Sequence, residues 1–84
     1  MLIAGASTIP LHLLAKAQRG RIAQINATDA EKYRLFALGF FEGLHIRLLH
    51  EGPLGGDPIA VDIEGHMVAL RRADAAHIIV DIIE

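Results

Sequence analysis

Histidine offers the most direct metal chemistry in this chain, which has five: His12, His45, His50, His66 and His77. Neutral imidazole ligates zinc, iron and copper, so spacing decides whether a site is written into the sequence. There is no His-x-His, no His-x-x-x-His and no acidic ladder of the calcium-loop type. Any site would have to be assembled by the fold or between chains, with His45 and His66 approaching across a sheet, or His50-Glu51 acting as a surface ligand pair. No residue is assigned as a metal ligand on this basis.

Arginine gives a different chemistry. Arg71-Arg72 closes a strand-like segment, and Arg34 and Arg47 would join it if a helix packed nearby. The planar guanidinium fork binds carboxylates in a way that lysine does not. Arg34, Arg47, Arg71 and Arg72 are therefore the candidate partner-binding residues, and the bland alternative is a solvated rim.

Catalytic arrangements are sparse. Ser7, the single serine, has no nucleophile-elbow sequence around it. The absence of cysteine removes disulfides, thiol nucleophiles and Cys-ligated zinc or iron-sulfur sites. Asp62 and Glu64 fall on one outward strand face as ordinary solvated charges, not as a pair with divergent pKa values. Gly52, Gly55 and Gly56 with Pro53 and Pro58 lack the Lys-Ser/Thr ending of a phosphate loop and lead into a strand pattern, so they read as a turn. The expectation is a protein that is not an enzyme and uses no cofactor.

Short elements position these side chains. Pro10 suits a first helical position, and Leu11, Leu14 and Ala15 share a face, which predicts a short helix over 10–16. Gly20 then breaks the pattern, and residues 21–26 form a first strand with imperfect alternation. Thr28-Asp29-Ala30-Glu31 is a capping box that starts a helix of about ten residues ending at Gly39. Its Tyr33, Leu35, Phe36 and Leu38 are expected in the core. Leu44, Ile46 and Leu48 alternate with His45 and Arg47, as a half-buried strand requires. After the polar turn 51–58, Ile59, Val61 and Ile63 alternate, a hairpin turns at Glu64-Gly65, and Val68 and Leu70 share one face. Residues 72–76 read as one helical turn, and His77 to Ile83 as a last strand with Ile78, Val80 and Ile82 facing inward. Five short strands with two or three brief helices predict a mainly β fold closed into a small barrel, because closure removes sticky edges.

Composition agrees with one folded unit over residues 1–84. Eighty-four residues have no room for a second core, and 52% hydrophobic against 21% charged residues is too apolar for a disordered segment. Met1 to Ala15 carries no Lys, Arg, Asp or Glu, but Ser7, Thr8, Pro10 and His12 interrupt it. The run therefore fits neither a signal peptide nor a span, and a soluble, unprocessed chain is expected. The formal charge of −2 argues against a generic phosphate-backbone binder. The four aromatics fall in or beside one helix, so a nucleic-acid-binding barrel ranks last and no nucleic acid is expected. Residues 1–42 hold five basic and three acidic side chains, and residues 43–84 hold three and seven, so the two halves differ in potential. An exposed strand edge, or Ile79 and Ile83 opposite the core face, could pair two chains into a homodimer.

Three motifs in order then become informative. Arg34-Leu35-x-x-Leu38-Gly39-x-x-x-Gly43, Gly56-Asp57-Pro58-Ile59 and Ala69-Leu70-Arg71-Arg72-x-x-Ala75 together resemble the ferrous iron transport protein A family, FeoA, over nearly the whole chain. The family commonly has proline before the second glycine of its Leu-Gly-x-x-Pro-Gly turn, where this chain has Glu42. The resemblance implies an SH3-like β-barrel with helical insertions and a small cytoplasmic accessory protein of bacterial ferrous iron uptake. It also implies that the protein binds and modulates FeoB, the membrane transporter with a cytosolic GTPase domain, and meets the membrane only through it. Leu35, Leu38, Gly39 and Gly43 are then structural, while Arg34, Arg71 and Arg72 reach the partner. A similar barrel forms the carboxy-terminal domain of iron- and manganese-dependent repressors, although no DNA-binding domain is attached here. The competing reading is a small histidine-based divalent-metal carrier or sensor using His45, His50 or His66.

Overall fold

A computed structural model describes residues 8–83; Ser7 lies outside the described residues. Six strands and two short helices follow in the order β1 (Thr8–Pro10), β2 (Arg19–Ile25), α1 (Asp29–Ala37), β3 (His45–Gly52), β4 (Gly56–Ile63), β5 (His66–Leu70), α2 (Arg72–Ala75) and β6 (Ile78–Ile83). All pairings are antiparallel, in the order β1-β6-β2-β3-β4-β5. The mainly β, SH3-like expectation therefore holds, with two corrections. The strands number six, not five, and among the described residues β1 and β5 do not pair, so both remain edges.

Alternation builds the core. Ile22, Ile25, Ile46, Leu48, Ile59, Val61, Ile63, Leu70, Ile78 and Val80 turn inward and are joined there by Leu11, Leu14, Leu35, Phe40 and Ala75. The imperfect alternation of β2 has a physical cause. The β2–β6 register shifts between Ile22 and Gln24, so Ala23 is an extra residue and Ile22 and Ile25 both face inward three positions apart. A second shift in β3, between Leu48 and His50, places Leu49 the same way. Such bulges bend strands and let a short sheet curl around its core.

The amino-terminal helix expected over 10–16 is replaced by β1 and a 3-10 turn at Leu11–Leu13. Leu11 and Leu14 are both buried, and spacing of i,i+3 fits a 3-10 turn as well as an α-helix. Gly20 does not break a pattern. It sits inside β2, between Ile82 and Ile46, and a Cβ there would lie 3.0 Å from the Asp81 carbonyl oxygen. The polar turn is also shorter than expected, since β3 runs to Gly52 and β4 starts at Gly56.

Candidate docking surfaces

The capping box forms as its sequence requires: the Glu31 amide donates to Thr28 Oγ1 (3.2 Å) and the Thr28 amide to Glu31 Oε1 (3.0 Å). The second bond, to the Thr28 backbone, leads the causes that lower the Glu31 pKa from its ordinary 4.5. At the other end of α1 the Phe40 amide bonds the Leu35 carbonyl (3.0 Å) and the Gly39 amide the Phe36 carbonyl (2.9 Å). These two bonds are a Schellman closure, and Gly39 takes the left-handed φ of 103° that it needs. The chain reversal drives Phe40 back into the core beside Leu35, where both are buried.

The same reversal leaves the other aromatic side chains outside, which corrects the core expectation for α1. Leu35 alone of its residues is buried, while Tyr33 is 78% exposed, Phe36 40% and Leu38 44%. Phe41 emerges on the far side of the turn and stacks on Phe36, centroids 5.3 Å apart and planes within 7°. These rings, with Leu38, Leu44, Met67 and Val68, line a cleft of about 520 Å³ between the end of α1 and edge strand β5. Exposed apolar surface of this kind, rimmed by Glu64 and His66, marks a protein-interaction site more often than a solvated accident. Periodicity groups side chains by face, but it carries no signal that a face lacks a cover.

Of the four arginines singled out in the sequence, the fold brings two together. Asp74, at the start of α2, receives Arg34 Nη2 at 2.8 Å and Arg71 Nε at 3.5 Å. Both guanidiniums stay largely exposed, so the cluster presents two cations over one carboxylate. Arg72 turns the other way. Its guanidinium donates to the His12 carbonyl (3.0 Å), Glu51 Oε2 (3.1 Å) and the Gly56 carbonyl (3.5 Å), and its amide donates to Asp57 Oδ1 (2.9 Å). It thereby ties the 3-10 turn, the β3–β4 turn and α2 together. Arg47 lies elsewhere, on the outer face of β3 between Arg19 and Asp62.

The histidines are not gathered. Strand β4 separates His45 from His66, and His45 instead faces Glu64 (3.6 Å) while His77 approaches Glu31 (3.9 Å). Among the described residues no three His, Asp or Glu side chains form a set that could hold a metal ion. Nor is any described helix long and apolar enough to cross a membrane.

The fold is a small SH3-like barrel with an exposed aromatic cleft and an arginine rim. Residues 9–82 match the FeoA domain, and the chain belongs to that family of ferrous iron transport accessory proteins. A comparison with curated proteins returns no match. Among solved structures, the Chlorobium tepidum FeoA protein is 33% identical with a TM-score of 0.81, covering 90% of this chain and 71% of that one. The Stenotrophomonas maltophilia FeoA, an SH3 domain protein complexed with zinc, is 32% identical with a TM-score of 0.72, covering 84% and 87%. A manganese-dependent transcriptional repressor bound to manganese is 27% identical with a TM-score of 0.79 over 90% of this chain, which spans only 37% of the repressor.

Proposed function

We propose that this protein is a cytoplasmic, non-catalytic module that binds the cytosolic part of a FeoB-type ferrous iron transporter and modulates its GTP hydrolysis or assembly. The observation that carries the reading is the cleft built on the stacked Phe36–Phe41 pair, which leaves aromatic surface in water unless a partner covers it. A role as activating factor of bacterial ferrous iron transport has been offered for the Stenotrophomonas relative, and it suits a docking module. In this reading the apolar cleft supplies the buried centre of the contact. Arg34 and Arg71, held by Asp74, supply polar rim contacts to carboxylates, and Arg72 holds the elements beneath them in place.

The test is binding of the wild-type protein and of Phe36→Ala/Phe41→Ala to the full-length transporter in nanodiscs, with GTP hydrolysis followed in parallel. The reading expects saturable wild-type binding and a loss of at least about tenfold in the double variant, since buried aromatic anchors dominate such interfaces. Equal binding by both proteins would remove the cleft from the contact, and no wild-type binding would end the docking reading.

A further inference from the structure

The outer face of the barrel opposite the core carries a charge arrangement that the cleft and the α2 rim do not use. On β2 and β3, Arg19 lies directly across from Arg47 and Arg21 directly across from His45. The four side chains therefore occupy adjacent positions on one sheet face, and all are exposed. Like charges directly opposite one another destabilise a sheet, so the Arg19–Arg47 pair is a cost to the fold. Among the described residues none of Arg19, Arg21 and Arg47 makes an ion pair.

Acidic residues stand on both sides. Across the sheet, Arg47 is followed by Asp62 on β4, and Arg21 is followed on the other side by Asp81 on β6, whose carboxylate accepts from Thr8 Oγ1 at 2.8 Å. Glu64 closes the β4 side beside His45. Arg19, His45, Arg47, Asp62, Glu64 and Ile83 line a shallow concavity of about 310 Å³ over the centre of the block. The cations are therefore central and the acids peripheral.

That order selects the class of partner. A polyphosphate, a nucleic acid or an anionic membrane spreads negative charge evenly and would meet Asp62, Glu64 and Asp81 as well as the arginines. A protein surface can carry the mirrored pattern, with carboxylates in the middle and Lys or Arg on either side. We infer that the β2–β3 outer face is a second docking surface, which takes an acidic side chain of a protein partner between Arg19 and Arg47 with basic residues of that partner set against Asp62 and Glu64. The inference rests on the reading that the partner is the ferrous iron transporter, and it adds a charged face that meets the aromatic cleft at Glu64, which lines both.

Two substitutions test it. Arg19→Glu sets a carboxylate opposite Arg47 and relieves the like-charge pair, so the variant should melt at or slightly above the wild-type temperature. Asp62→Asn removes an acid whose side chain makes no hydrogen bond or ion pair among the described residues. Affinity for the full-length transporter in zwitterionic nanodiscs is measured at low and high salt, alongside empty phosphatidylglycerol nanodiscs and inorganic pyrophosphate. The inference expects affinity to fall with salt, Arg19→Glu to weaken binding at least about tenfold, and Asp62→Asn to weaken it by about two- to fivefold. Asp62→Asn tightening the interaction, or binding to phosphatidylglycerol discs or pyrophosphate with comparable affinity, would identify a polyanion site and overturn it. Wild-type binding unaffected by Arg19→Glu would remove this face while leaving the accessory reading intact. No wild-type binding to the transporter would remove both.

Discussion

Arg72→Ala separates a brace from a surface contact. The guanidinium is only 28% exposed and donates to the His12 carbonyl at 3.0 Å and to Glu51 at 3.1 Å, with a longer approach to the Gly56 carbonyl. A hydrogen bond from a charged donor is worth about 1.5–3 kcal/mol, and the half-exposed Glu51 pair adds about 0.2–1 kcal/mol after screening. The substitution should therefore cost about 2–4 kcal/mol. In a domain of this size each kcal/mol lowers the melting temperature by about 4–8 °C, which gives a fall of about 8–32 °C. Thermal unfolding followed by circular dichroism at 50 and 500 mM NaCl reads it directly. Most of the loss should persist at high salt, because the carbonyl bonds are not screened as the Glu51 pair is. Arg72→Lys should recover less than half, since a lysine cannot reach the His12 carbonyl and Glu51 together. A loss below about 1 kcal/mol, the range of an ordinary surface substitution, would refute the bracing role.

Neighbouring phenylalanines should behave in opposite ways. Phe40→Ala empties a fully buried site and should cost about 3–5 kcal/mol, whereas Phe41→Ala loses the stack on Phe36 and should cost about 1 kcal/mol in urea unfolding while weakening transporter binding. Gly39→Ala places a side chain at φ 103° and should cost about 1–2 kcal/mol through strain alone, since nothing lies within 4 Å of the added Cβ. The capping box gives a pH dependence. Glu31 is bonded as the carboxylate and its pKa is lowered on folding, so its contribution is present above 4.5 and is lost as acid takes the pH through the lower folded-state value. Glu31→Ala, which removes the titrating carboxylate, should flatten that acid-side loss in melting curves taken from pH 6 to pH 3.

How much of this was legible in the sequence follows from range. The capping box at Thr28, the Gly39 stop and the Glu64-Gly65 hairpin are settled within a few residues, and they form as read; both turn residues of the hairpin take positive φ, 48° and 101°. Strand alternation located the inward residues of β3, β4 and β6 for the same reason. Elements that depend on distant partners were not legible. β1 is three residues long and exists through its pairing with β6, about seventy positions away in the chain, and the bulge at Ala23 is visible only against that same strand. The site divides in the same way. Arg34, Arg71 and Arg72 stood out by type, but the carboxylate that gathers the first two is forty positions from Arg34, and the carbonyl that pins the third is sixty positions away. The aromatic cleft is not legible in the sequence, because the apolar side chains of α1 read as core and nothing local says that only Leu35 will be covered.

The central claim is that this protein docks on the transporter through its own side chains and not through a metal that it carries. An NMR titration of the labelled protein with the full-length transporter, run once with a chelator and once anaerobically with Fe(II), tests it most directly. Shifts are expected at Phe36, Phe41, Met67, Arg34 and Arg71 with the chelator present, little altered by Fe(II). Signals that stay still until Fe(II) is added, and then move at His45, His50 or His66, would contradict it and establish the metal carrier in its place.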